Sequence, residues 1–269
     1  MPAEQNPLEN QMDAYKPAII AARVEATCIA KANLSATQLM ILSIMAGAFI
    51  AFGALFYTLV VSDSTLGAGP TRLIGGLAFS VGLILVVIAG GELFTGNSLM
   101  VVAWLDRTLS SARLMRNWGI VYIGNFIGAI LVVFLVILSG MLNTDTLSET
   151  AAHIAEAKLS LTITEALFRG ILCNILVCLA VWMSFAAHSV SGKVMVIVPP
   201  IAAFVAIGFE HSVANMYVIP LAMISGVIPF DLAGFAQNLV MVTVGNILGG
   251  SLFVGAAYWA VYLRAEKEN

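Results

Sequence analysis

Charge is what this chain has least of. Only 10% of its 269 residues are Asp, Glu, Lys or Arg, whereas a soluble domain carries about 25%. The formal net charge is −3 and no basic patch of useful size exists, so nucleic acid is not an expected partner. Cysteine is scarce: Cys28, Cys173 and Cys178. An odd number argues against a disulfide framework, and the last two sit in an apolar run, as membrane-buried thiols do. With three histidines, His153, His188 and His211, there is no metal-ligand or haem-type spacing, so no metal and no cofactor is expected. Residues 1–13 are polar and acidic, and no apolar core follows a basic start, so no signal peptide is expected. What remains is apolar: 60% of the chain is hydrophobic and its mean hydropathy is +0.98. That composition describes a polytopic membrane protein.

Six apolar segments run at about Leu39–Val61, Leu73–Leu105, Trp118–Leu142, Thr162–Ala187, Val194–Val227 and Leu239–Leu263. A span needs about 20 residues. The second and fifth are far longer and are interrupted at Gly90–Asn97 and Gly208–Val213, as expected of half-helices joined by an irregular turn. Such turns survive only where protein or water covers their backbone. Ahead of the spans, Ile20, Val24 and Cys28 recur every four residues, with Ile19 and Ile29 beside them and Arg23 and Glu25 between. Residues 14–35 therefore read as an amphipathic helix, on the membrane or packed on the bundle. Residues 143–159 read as a loop carrying Asp145, Glu149, Glu156 and Lys158. One side of the membrane collects Lys16, Arg23, Lys31, Arg107, Arg113, Arg116, Lys193, Arg264 and Lys267. The other has Arg72 and Lys158, with Arg169 near the head of the fourth span. The positive-inside rule then places both termini in the cytoplasm.

The breaks repeat. Gly90-Gly91-Glu92-Leu93-Phe94-Thr95-Gly96-Asn97 and Gly208-Phe209-Glu210-His211-Ser212-Val213-Ala214-Asn215 carry Gly, Glu, a small residue and Asn at the same offsets, 118 residues apart. Gly124-Asn125-Phe126-Ile127-Gly128 in the third span matches Gly245-Asn246-Ile247-Leu248-Gly249 in the sixth, 121 residues apart. Each half holds three spans, and three is odd, so the second half enters the membrane from the opposite side. The fold expected is all-α: six transmembrane helices in two inverted three-helix repeats, with the second and fifth helices broken near the midplane. The Gly-x-x-x-Gly spacing suits close helix contact. The chain divides into an N-terminal segment 1–35, a transmembrane domain 36–264 with repeats at about 36–142 and 160–264, and a tail 265–269.

His211 has the strongest claim to function, because it alone among the histidines lies deep in an apolar span. A charge at mid-bilayer depth costs roughly 2.5–3.5 kcal/mol, so ionisable residues there mark function by default. Imidazole donates one hydrogen bond, accepts another and can carry a proton; the plainer role is tying the broken helix to a carbonyl. Glu92 and Glu210 occupy equivalent positions, which favours a shared structural task with Gly90 and Gly208, such as holding unwound backbone N–H groups. Thr95 should lie near His211 by the pseudo-symmetry, binding a small polar substrate or capping a half-helix. Phe79 and Leu83 share a helix face, and Phe204 shares one with His211. Bulky apolar groups on either side of a polar centre make gates of the dewetting kind; each alone is ordinary packing. Asn174, Asn125 and Asn246 need partners when buried, by bonding between helices or by lining a pore. Lys158, at a pore mouth, would attract anions; in a loop it is simply solvated.

The two broken-helix motifs, the run Cys173–Met183 and the pair Gly245-Asn246 resemble the signatures of the formate/nitrite transporter family, from about residue 15 to the C-terminus. Within it the formate channels look most similar, through residues 75–95. The resemblance implies an aquaporin-like fold and a homopentamer with one pore per protomer. It implies a pore centre at His211 and Thr95, constrictions at Phe79, Leu83 and Phe204, a vestibule lysine at Lys158 and pore asparagines at Asn174 and Asn246. The implied function is passage of formate and related small monovalent anions across the bacterial or archaeal inner membrane, with proton coupling that depends on pH through His211. Nitrite or hydrosulfide is the alternative substrate, and acetate and lactate are further candidates. No enzyme is implied. An aquaporin-type channel would carry paired Asn-Pro-Ala signatures, an ammonium channel two facing histidines, and an intramembrane enzyme a second catalytic partner; none is present in the sequence.

Overall fold

The computed structural model describes residues 14–264. The expectations for residues 1–13 and 265–269, Lys267 included, lie outside the described residues. Among the described residues, six helices are long and apolar enough to cross a bilayer: α2 (Ala36–Val61), α3 (Ala68–Gly90), α5 (Ser111–Leu138), α7 (Ile163–Ser184), α8 (Val190–Ile207) and α10 (Leu232–Arg264). Two short apolar helices, α4 (Gly96–Leu105) and α9 (Ser212–Ile224), complete the broken spans. The amphipathic segment is α1 (Pro17–Ala32). No strand occurs among the described residues; the only bridge pairs Ala14 with Ala187.

α1 packs on the bundle. It starts with Pro17 in its first turn, where no backbone donor is missed. Its face Ile20, Val24, Cys28 and Ala32 is buried, and the Cys28 thiol donates to the Leu99 carbonyl at 3.6 Å. Burial pushes that thiol up to about 12, so it stays protonated and serves as a donor. α5 begins earlier than its apolar segment. The extra polar turns carry Arg113, bonded to Asn33, and Arg116, bonded to the Leu34 carbonyl at 3.2 Å. These bonds tie the end of α1 to the head of α5.

Residues 143–159 correct the sequence reading: most of them form a helix, α6 (Asp145–Leu159), not a loop. Its buried residues Leu147, Ala151 and Ala155 recur every four, a narrow apolar stripe that its polar composition concealed. α6 packs against α9 and places Lys158 in its last turn.

The two halves match in their contacts. Gly128 of α5 lies under the Ile44 carbonyl of α2, and Gly249 of α10 lies under the Ile171 carbonyl of α7. A side chain at either glycine would run into backbone, so the small residues set how closely each pair of helices approaches. α3 packs on α8, across the repeat boundary. The break points match as well. Gly90 has φ +94° and Gly208 φ +88°, in the left-handed region that other residues enter at a cost of about 1–2 kcal/mol. Each therefore ends its helix and turns the chain. α9 lies inside the bundle with every residue from Ser212 to Met223 buried. On the outside, Phe52, Phe56, Leu131, Leu135 and Leu138 are exposed, an apolar surface suited to lipid.

Candidate transport site

Two cavities enter from opposite ends of the bundle. One, of about 690 Å³, is lined from α6, α3, α7, the end of α8 and the Gly208–His211 turn; we call it the α6 vestibule. The other, of about 300 Å³, is lined from α1, α3 and the Gly90–Leu93 turn; this is the α1 vestibule.

The buried centre is a hydrogen bond between Thr95 Oγ1 and His211 Nε2, 2.9 Å long. Thr95 is fully buried and His211 is 2% exposed. His211 is also the N-cap of α9: its Nδ1 accepts from the Ala214 N–H at 3.1 Å. A nitrogen that accepts carries no hydrogen, so neutral His211 holds its proton on Nε2 and donates it to Thr95. The capping bond that completes α9 thereby aims an N–H at the Thr95 hydroxyl, whose own proton is left to donate elsewhere. The structural bond of His211 is thus to a backbone N–H of α9, not to the carbonyl expected from the sequence, and it leaves Nε2 facing Thr95.

Apolar groups stand on both sides. Phe79 and Phe204 meet edge to face, 5.5 Å between ring centroids, and both line the α6 vestibule. The Phe204 ring lies 6.0 Å from the imidazole. Leu83, 2% exposed, lines the α1 vestibule. All three residues expected at the constrictions are therefore found beside the vestibules.

The glutamates are braced differently from expectation. They do not hold unwound N–H groups. Glu210 meets Lys158 Nζ at 2.9 Å and accepts from Asn215 Nδ2 at 2.7 Å. Asn215 Nδ2 also donates to Asn238 Oδ1 at 2.7 Å, and Asn238 donates to the Lys158 carbonyl at 2.9 Å. In the other half, Glu92 meets Lys31 Nζ at 3.1 Å and accepts from Asn97 Nδ2 at 2.8 Å. Asn97 Nδ2 donates to Asn117 Oδ1 at 2.9 Å. One backbone donor of each turn goes instead to a repeated asparagine. Asn125 Oδ1 accepts from the Phe94 N–H and Asn246 Oδ1 from the Ser212 N–H, both at 2.9 Å. A carboxylate in low dielectric needs a cation, whereas an uncharged amide suffices for a backbone N–H. The acid therefore binds lysine and the amide binds the turn.

The expected pore asparagines do not line either vestibule. Asn246 is fully buried, and its Nδ2 donates to the Gly170 and Glu210 carbonyls at 2.8 and 3.0 Å. Asn174 Nδ2 reaches the carbonyls of Thr95 and Asn246 at 3.1 and 2.6 Å. Both amides brace the broken turns, Asn174 through the Thr95 carbonyl and Asn246 through the Glu210 carbonyl and the Ser212 N–H. Lys158 lies in the α6 vestibule as expected, but paired.

Lys31 is the residue the sequence reading passed over, counted only among the positive charges on one side of the membrane. The signal was a third spacing: Lys31 and Lys158 lie 127 residues apart, as do Ser43 and Gly170, whose carbonyls receive Asn125 and Asn246. Asn97 and Asn215 stood in the motif without a role. Among the described residues there is no group of three His, Cys, Asp or Glu that could hold a metal.

Comparison with known proteins agrees with this geometry. The family model described as "Formate/nitrite transporter" matches residues 18–260. The chain is 39% identical to the formate channel FocA of Escherichia coli (strain K12), over 97% of this chain and 99% of that protein. It is 43% identical to a probable formate transporter of Methanothermobacter thermautotrophicus, over 84% and 89% respectively. A solved structure described as a pentameric formate channel with formate bound superposes with a TM-score of 0.76 at 41% identity, covering 85% of this chain and 98% of that one. A second, described as an FNT family ion channel, gives 0.83 at 32% identity, covering 90% and 98%. The chain belongs to the formate/nitrite transporter family.

Proposed function

We propose that this protein is a channel for formate and related small monovalent anions across the inner membrane of a bacterial or archaeal cell, both termini being cytoplasmic. The observation that carries the reading is the buried Thr95–His211 hydrogen bond, set between two vestibules that each end at bulky apolar side chains. A carboxylate arriving there replaces Thr95 as the acceptor of the Nε2–H and takes a second bond from the threonine hydroxyl. Two donors converging on a monoanion stabilise charge that the apolar constrictions alone would reject. As pH falls, His211 takes up a proton from a vestibule and becomes an imidazolium; passing that proton to the anion returns the neutral imidazole and leaves a neutral acid that crosses Phe79, Phe204 and Leu83 more easily, which is how transport becomes coupled to protons. Formate is placed first because the relatives named above include formate channels; nitrite, hydrosulfide, acetate and lactate fit the same two donors.

The working unit is a homopentamer with one pore per protomer, by likeness to the pentameric relative. Residues 36–264 form the channel domain, with repeats at about 36–142 and 160–264, and residues 1–35 form its N-terminal segment. The test is flux into proteoliposomes of the purified protein, comparing formate, nitrite, hydrosulfide and lactate at several pH values against empty liposomes. Fastest and saturable formate flux is the expected result. If nitrite or hydrosulfide moves faster, the substrate assignment fails; if no anion exceeds the empty liposomes, the channel reading fails.

A further inference from the structure

The inverted repeat gives every vestibule residue an internal control. The Glu92 N–H donates to the Leu42 carbonyl at 3.1 Å, and the Glu210 N–H donates to the Arg169 carbonyl at 3.3 Å. Leu42 and Arg169 thus hold the same place, 127 residues apart, one on the first span of each repeat. Leu42 lines the α1 vestibule and Arg169 the α6 vestibule. Among the described residues, the α1 vestibule is charged only by Lys31 and Glu92, which are bonded to each other. In the α6 vestibule Lys158 and Glu210 are paired in the same way. Beyond that pair stand two arginines, Arg72 and Arg169, against one carboxylate, Glu149.

A lysine held 2.9 Å from a carboxylate acts as a dipole a few ångströms away, while an unpaired cation acts as a full charge. Arg169 is that cation. Its guanidinium makes one long hydrogen bond, Nη1 to the Gly208 carbonyl at 3.5 Å. Its other donors have no hydrogen-bond partner among the described residues. Glu165, one turn earlier on α7, feels the charge of Arg169, but its carboxylate is bonded to Thr162 in a capping box and forms no ion pair with the guanidinium. The bond to Gly208 sets the fork three residues from His211, in the cavity that Phe79 and Phe204 close. A planar fork of five N–H donors fits a carboxylate with two parallel bonds, and a lysine does not.

We infer that Arg169 is an anion-binding residue of the α6 vestibule, holding a small monocarboxylate in front of the Phe79–Phe204 constriction, and that this makes the two mouths of the pore unequal. The inference rests on the channel reading above.

The test is the concentration dependence of formate flux in proteoliposomes at low and high ionic strength, for wild type, Arg169→Gln and Arg169→Lys. Glutamine can still donate to the Gly208 carbonyl but carries no charge. The expected result for Arg169→Gln is a half-saturating concentration raised about threefold to tenfold at low salt with the maximal rate nearly kept. That gap should close in high salt, where exposed charges are screened. Arg169→Lys should restore the salt dependence while leaving half-saturation above wild type, because the fork is gone. Wild-type half-saturation and salt dependence in Arg169→Gln overturn the inference while leaving the channel reading intact. So does a uniform loss of rate at every concentration and salt, which marks Arg169 as a cap of Gly208 only. If Arg169→Gln does not assemble, Arg169→Lys decides alone: wild-type half-saturation in that variant overturns the inference. Wild-type protein that moves no formate above empty liposomes overturns both.

Discussion

The α1 and α6 vestibules are made of corresponding parts and differ where the parts face open space. In each, a lysine from the helix ahead of the repeat binds a glutamate in the broken turn. In each, that glutamate binds an asparagine five residues on, which binds another on the third span. The cavity walls diverge: Leu42 against Arg169, Gly91 against Phe209, and about 300 Å³ against about 690 Å³. The polar bracing cannot vary alone, because each member leaves a buried partner unsatisfied when it is lost. A wall residue touches mainly water or the permeating ion and is free to set the character of its mouth. The repeat therefore preserves what holds the broken turns in place and leaves the walls to differ.

The largest expected effect breaks the bracing. Glu210→Ala strands Lys158 and should destabilise the fold by about 3–5 kcal/mol, the range for removing one partner of a buried ion pair. Glu92→Ala should cost less, because the Lys31 side chain is 27% exposed against 16% for Lys158. Denaturant unfolding in detergent reads the order, and a larger loss for Glu92→Ala would break the comparison. Next come the helix contacts: Gly249→Ala and Gly128→Ala should each cost about 1–3 kcal/mol by overpacking against a carbonyl. Unfolding transitions unchanged from wild type would show that the helices part freely.

Smaller still, Gly208→Ala and Gly90→Ala should cost about 1–2 kcal/mol. Nothing lies within 4 Å of the added carbon at either position, so the loss is purely conformational and should be equal in the two. An alanine that costs nothing at one of them would mean that its turn relaxes. Smallest, and most pointed, is Leu42→Arg, which gives the α1 vestibule the cation its counterpart has. An exposed charge worth about 0.5–1 kcal/mol should lower half-saturation for formate about twofold to fivefold at low salt. No change in half-saturation would mean that wall charge at this depth is not sensed.

Much of the fold was legible in the sequence. Long apolar runs marked the six spans. Glycines beside glutamates inside two of those runs marked the breaks, because a carboxylate at that depth is too costly for an unbroken helix facing lipid. The repeat by itself places Thr95 near His211, and the hydrogen bond between them is 2.9 Å long. α6 was not legible: its stripe of Leu147, Ala151 and Ala155 is three residues long in a polar segment, and the bundle, not the segment itself, makes it a helix. Lys31 was missed because its partner Glu92 lies 61 residues away, across a fold that the sequence implies only after the 127-residue spacing is noticed. The family resemblance implied a pore role for Asn174, while the residues alone left bonding between helices open, because an amide in a span suits water or a freed carbonyl. The close approach to Thr95 decided for the carbonyl.

The central claim is that the Thr95 hydroxyl and the His211 Nε2–H together receive the anion. The most direct measurement is formate flux through Thr95→Val in proteoliposomes, with assembly and sidedness matched to wild type. Valine keeps the shape and removes the hydroxyl, and one hydrogen bond to a charged group is worth about 1.5–3 kcal/mol. The account predicts a fall in flux of about 10-fold or more. Flux equal to wild type would contradict it, and the Thr95–His211 bond would then be only a brace of the two broken helices.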